Sequence, residues 1–246
     1  MKTPIELAQD LADQLNRQTF KAPVHVVYNP LNYAWDNHRT YLERYGTGTK
    51  KILFLGMNPG PWGMAQTGVP FGDPEAVRTT LGISGEVDVP AIEHPKRKIV
   101  GCDSPRKEVS GHRVWSWVNE YWGSVDAFSE HCTIMNYCPL AFLEEGGRNR
   151  TPDKLTRQER DRLFAVCDDT LRARVAHHQP EWVLGFGAFA ETRANAALKG
   201  LGVSIGRILH PSPASPRANR GWPQEVAIDL EKMGIKLPGS QAGRSS

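Results

Sequence analysis

The chain has 246 residues, of which 39% are hydrophobic and 23% charged, enough apolar material for one sizeable core. Its net charge of +3 is only a weak hint of an anionic partner, so local clusters of charge carry more information than the total. No apolar stretch approaches the roughly 20 residues that span a membrane. Acids within the first ten residues and the lack of an apolar h-region argue against a signal peptide, so a cytoplasmic setting is expected. Cys102, Cys132, Cys138 and Cys167 form no CxxC or CxxH pair, which argues against structural zinc. Four scattered ligands for an iron–sulfur cluster are the weaker alternative to reduced, buried thiols.

In chain order, residues 4–18 carry Ile5, Leu7, Leu11 and Leu15 at helical spacing and predict an amphipathic helix. Val24–Tyr28 reads as a short strand. A helix follows from Asp36 to Tyr45, stopped by Gly46. Lys51–Leu55 is a buried strand, and Asp73 or Pro74 starts a short helix ending at Gly82. Residues 83–111 are irregular and basic. His112–Trp122 is a helix whose aromatics suit core packing. Cys132–Met135 is a second core strand. Residues 146–152 read as a polar loop, and 156–177 as a long helix. Strands at 181–186 and 203–209 flank a helix at 188–198, and a helix at 223–233 closes the pattern. Apolar strands alternating with helices predict a three-layer α/β/α domain around a central, mostly parallel four-stranded sheet. Residues 1–238 are expected to form one domain and 239–246 a disordered tail.

Two loops stand out. Residues 57–72 carry four Gly, three Pro and no charge, far longer than an ordinary strand-to-helix turn of 2–6 residues. Such a loop is poorly solvated and suited to lining a pocket for a flat ligand. The second loop, from His210 to Trp222, also leaves an apolar run and also begins with a polar residue followed by proline. A residue before proline is held in extended geometry, so Asn58 and His210 both sit on stiff backbone just past strand ends. Asn136 lies past a third. In parallel sheets, ligands bind beyond the carboxyl ends of the strands. Basic residues cluster twice: six Lys/Arg against two acids over 94–113, and three Arg with no acid over 207–221.

Residues 56–72 and 210–222 resemble the two signature motifs of the single-strand-selective monofunctional uracil-DNA glycosylases, a group of the uracil-DNA glycosylase superfamily. Further similarity lies in Asn136-Tyr-Cys-Pro-Leu140, Gly147-Arg-Asn149 with Leu155 after Thr151-Pro152, Glu93-His-Pro-Lys-Arg97, and Val109-Ser-Gly111. The resemblance spans roughly residues 20–236. It implies hydrolysis of the N-glycosidic bond of a damaged pyrimidine, uracil first, after the nucleotide is turned out of the base stack. It extends to 5-substituted uracils and deaminated purines as open alternatives.

On that resemblance Asn58 positions the attacking water, and His210 stabilises charge gathering on the leaving base. Asn136 reads the base edge, its amide matching O4 and N3–H of uracil together. Phe71 stacks on the ring, and Gly60, with Met57 nearby, leaves room at the C5 position; Met57 and Gln66 are the least defined candidates. Ser212, Pro213 and Ala214, with Arg217 and Arg220, form a DNA wedge whose arginines meet phosphates. Ala214 stands where animal members carry an arginine, which bears on how the vacated stack is filled. No lysine lies inside either signature loop to serve as a Schiff-base nucleophile. That fits a monofunctional enzyme, with no cofactor or metal expected and a monomer acting on DNA in the nucleoid or nucleus. The competing readings are a non-catalytic protein that captures lesions and a nucleotide-binding protein with residues 56–72 as phosphate cradle. The second lacks both Gly-x-Gly-x-x-Gly and Gly-Lys-Ser/Thr.

Overall fold

The structure is a computed structural model that describes residues 1–237. The expected domain limit at 238 and the tail at 239–246 lie outside them. The central sheet consists of β2 (Ile52–Gly56), β3 (Cys132–Asn136), β6 (Trp182–Phe186) and β7 (Ser204–Ile208). They run parallel in the order β3-β2-β6-β7. Their alternation sorts the core into two layers. Ile52, Phe54, Ile134, Leu184, Phe186 and Ile208 face one side. Leu53, Leu55 and Val183 face the other. The two inner strands, β2 and β6, are therefore apolar on both faces, as a sheet covered twice requires, whereas the edge strand β7 exposes Ser204 and Arg207.

The first face is covered by α3 (Trp35–Tyr45), α5 (Pro74–Thr79), α6 (Val109–Trp122), α7 (Val125–Ser129) and α10 (Pro216–Lys232). The second is covered by α1 (Pro4–Asn16), α8 (Arg157–His178) and α9 (Ala188–Ala197). The short helices α2 (Pro30–Tyr33) and α4 (Met64–Thr67) fill the loops. Thr3 and Thr156 begin α1 and α8 with reciprocal capping boxes. All four cysteines are buried thiols. Among the described residues no helix is long and apolar enough to cross a membrane.

The three-layer architecture expected from the sequence is present, with three local differences. β1 (Val24–Tyr28) does not join the parallel sheet. It pairs antiparallel with β4 (Ala141–Glu144), which pairs with β5 (Asn149–Arg150), giving a second sheet in the order β1-β4-β5. The supposed polar loop at 146–152 therefore contains a strand. α6 begins three residues early, because Glu108 caps it by accepting from the amides of Ser110 and Gly111. α10 begins at Pro216 rather than Pro223: Ser215 caps its first turn, and the helix is interrupted by non-helical backbone at Gly221.

Candidate active site

The parallel ladder continues past the strand ends. Tyr137 N donates to Gly56 O (2.9 Å) and Cys138 N to Met57 O (3.0 Å), which sets Asn136 beside the Met57–Asn58 backbone. Tyr137 is anchored from behind. Its hydroxyl donates to Asp168 (2.6 Å), which also binds Arg193 (2.5 Å). β6 ends on Gly187 (φ +84°), where a Cβ would stand 3.2 Å from that of His210. Glycine there lets the β7 end lean across β6 toward β2. The backbone at Leu209 is clamped by α10: its N–H donates to Asp229 (2.9 Å), and its carbonyl accepts from the Trp222 indole (2.7 Å).

These restraints bring Met57, Asn58, Gly60, Phe71, Asn136 and His210 onto one cavity of about 170 Å³. It is smaller than the roughly 300 Å³ where drug-sized sites begin. Asn58 Nδ2 donates to Leu140 O (3.2 Å), which leaves Oδ1 as the acceptor end. Asn136 is buried; its Nδ2 meets Met64 Sδ (3.2 Å), and its Oδ1 lies above Gly56. Phe71 adopts φ +51°, held by Trp115 Nε1 and Asp73 N donating to its carbonyl (3.0 and 2.8 Å). A Cβ at Gly111 would come within 2.0 Å of that same carbonyl, so helix α6 can approach only with glycine there. The Phe71 ring packs on Phe186 (4.6 Å between centroids) and lies 6.3 Å from the His210 ring. Burial lowers His210 to a pKa of about 4, so its imidazole is neutral at pH 7.

Several cavity residues were not singled out from the sequence. Glu108 stands against Gly60 and Gly63, and a Cβ at Gly63 would reach within 2.9 Å of its Cγ. Burial raises the pKa of Glu108, against the two amides it caps. Asn149, on β5, donates to Pro59 O (2.9 Å), and its buried Oδ1 takes no donor among the described residues. Met64, Ser110 and Thr151 complete the wall. Asn149 and Ser110 lie inside motifs quoted above, so the motifs carried a signal without a role. Gln66 is not at the cavity. It is buried behind the loop, binding Pro61 O, Lys98 O and Val100 N.

The wedge residues lie beside the cavity and do not line it. Pro213 and Ala214 are exposed at the tip, where Ser212 Oγ accepts from Ala214 N (3.1 Å). Arg217 is ion-paired with Glu225, whereas Arg220 is exposed and takes no carboxylate partner among the described residues. Arg113, one of the six cations over 94–113, braces the loop. Its guanidinium donates to Pro211 O (3.0 Å) and Asn219 Oδ1 (2.7 Å), and Asn219 in turn donates to Pro213 O (2.9 Å).

Known proteins bear on this geometry. The model of the uracil DNA glycosylase superfamily matches residues 43–230. The single-strand selective monofunctional uracil-DNA glycosylase of Rattus norvegicus is 47% identical over 90% of this chain and 81% of its own length. That of Bos taurus is 46% identical over 92% and 84%. The crystal structure of Pedobacter heparinus SMUG2 superposes with a TM-score of 0.62 at 16% identity. It covers 93% of this chain and 97% of its own, a likeness of fold. Strand-end cavity, signature loops and relatives agree: the chain belongs to the uracil-DNA glycosylase superfamily, in its single-strand-selective monofunctional group.

Proposed function

We propose that this protein excises uracil from DNA by hydrolysing the N-glycosidic bond, leaving an abasic site for base excision repair. The observation that carries the reading is the meeting of Asn58, Asn136, Phe71 and His210, from three strand ends and a long loop, on one single-ring cavity. The everted base stacks on Phe71 and presents its Watson–Crick edge to Asn136. Nδ2 donates to O4 and Oδ1 accepts from N3–H. Cytosine reverses both groups and leaves the buried amide unpaired, a mismatch that in such sites costs about 10⁴-fold in selectivity. Asn58 Oδ1, free of the Leu140 contact, accepts from water and aims its lone pair at C1′. An amide is a weak base, so the sugar develops cationic character before water adds; the added water then gives up one proton, which neutralises the departed base anion. The bond electrons pass to the base and gather on O2. A neutral His210 donates one N–H to that oxygen, a contact typically worth ~2.7–4 kcal/mol in a dry site.

Gly60 supports a wider substrate range. A Cβ there would make only ordinary van der Waals contact, with Glu108 at 3.8 Å, so the wall at Gly60 is uncrowded. The base is placed with C5 toward Gly60, where the missing side chain leaves room for 5-substituted uracils. The wedge loop, with exposed Pro213 and Ala214, occupies the vacated stack, and Arg220 meets phosphate more readily than the paired Arg217. The enzyme acts as a monomer where the DNA is, in nucleoid or nucleus. The test is a single-uracil oligonucleotide incubated with protein, then heated in alkali. Free uracil, with strand scission only after alkali, is expected. Tight binding without released uracil would leave a lesion-capturing protein instead.

A further inference from the structure

We propose that Trp62, Arg97 and Arg106 form a clamp for DNA phosphate on the rim of the base cavity, holding the strand beside the everted nucleotide. This rests on DNA being the substrate. The basic segment at 94–113 looks uniform in sequence, but the structure divides it. Lys98 pairs with Glu93 (2.5 Å), and Arg113 is committed to the wedge loop. Arg97 and Arg106 instead converge on one indole, their guanidinium carbons 4.9 and 5.3 Å from the Trp62 ring centroid. They therefore lie no more than about 10 Å from each other. Among the described residues neither takes a carboxylate partner. Two like charges held this close, neither of them ion-paired among the described residues, make a place for an anion.

The support beneath them is built. Buried His94 receives Lys96 N on Nδ1 (3.1 Å), and its Nε2 meets Glu144 O (3.0 Å). The His94 amide donates to the Tyr28 hydroxyl (2.7 Å), and Arg97 Nε donates to Gly147 O (2.7 Å). The small antiparallel sheet thus holds the turn that carries Arg97. Arg97 also donates from Nη1 to Lys96 O (3.2 Å), which leaves its Nη2 end for a phosphate oxygen, whereas the Arg106 guanidinium makes no hydrogen bond among the described residues and offers its whole fork. Position follows from connectivity. Trp62 stands between Gly60 and Gly63, both in the cavity wall, and Arg106 stands two residues before Glu108, also in the wall. A strand whose nucleotide enters the cavity must run over this rim, and its phosphates are the anions at hand.

The test is the salt dependence of binding to a uracil-free single-stranded oligonucleotide, read by fluorescence anisotropy. Each phosphate contact contributes about 0.7 to the slope of log K against log salt. Arg97→Ala with Arg106→Ala should lower that slope by about 1.4, and Arg106→Ala alone, at an exposed site, by about 0.7. Arg97→Lys with Arg106→Lys should keep most of the slope. Trp62→Leu should keep the slope and weaken binding several-fold. Unchanged slopes in both alanine variants overturn the clamp, since a merely structural role would not move this readout in the alanine variants and spare it in the lysine ones. Because the oligonucleotide carries no uracil, the result stands apart from catalysis. Loss of slope without any uracil release by the wild type would sink the proposed activity and keep the clamp.

Discussion

Gly56→Ala tests whether the strand end is built around the base-reading amide. Gly56 is the last residue of β2 and faces Asn136 across the ladder. A Cβ there would stand 2.3 Å from Asn136 Oδ1 and 2.7 Å from Phe71 Cε2. Both contacts are below the 3.0 Å that real Cβ atoms respect, so both side chains must move, by about 1 Å for the amide. A misplacement of that size costs about 10²-fold in rate, and overpacking costs about 1–3 kcal/mol of stability. Single-turnover release of uracil from a labelled oligonucleotide measures the first, and urea unfolding the second. Gly60→Ala is the control. Its Cβ meets nothing nearer than 3.8 Å, so the fold and uracil release should persist while excision of bulky 5-substituted uracils falls. Wild-type rate and selectivity in Gly56→Ala would refute the reasoning, because Asn136 and Phe71 would then not need the positions they hold.

His210→Ala should slow single-turnover excision by about 10²–10³, the usual loss for one donor of this kind, without loss of fold by circular dichroism. Asn136→Asp should narrow the uracil-over-cytosine preference in paired oligonucleotide assays, since the carboxylate accepts from the cytosine amino group that the amide repels. Acid should destabilise the protein through its buried imidazoles. Burial lowers His38 and His210 to about 4, and burial with the nearby Arg174 charge lowers His178 to about 3. Below about pH 6.5 the unfolded imidazoles take protons that the folded ones refuse. Stability is therefore full above that pH and falls as pH drops toward 4. Each group contributes up to ~1.4 kcal/mol per pH unit. Urea melts at pH 6.5 and 5.5 should show the fall, and His38→Gln with His178→Gln should remove up to about two thirds of the imidazole part.

The central sheet was legible because its strands are short apolar runs, the inner two apolar on both faces, set between helical segments. The candidate site was legible where a polar residue stands before proline at a strand end, as at Asn58 and His210. What escaped depends on partners far along the chain. The strand Asn149–Arg150 exists only through β4, and two residues give no period to read. Arg113 looks like any surface cation until the Pro211 carbonyl and Asn219, some hundred positions on, meet it. Arg217 is a phosphate candidate in the sequence, and its pairing with Glu225, eight residues on and past the break in α10 at Gly221, is visible only in the fold. Glu108 reads as an ordinary acid, and only the fold turns it into both helix cap and cavity wall.

Helix α6 has a double engagement: its capping Glu108 stands in the chamber that receives the base, while Arg113, a little over one turn further on, grips the loop beside it. A helix moves as one rod. Redesign that widens the chamber by backing α6 away would drag the wedge with it, so substrate range and strand insertion can be tuned separately only by changing side chains, never by shifting this backbone.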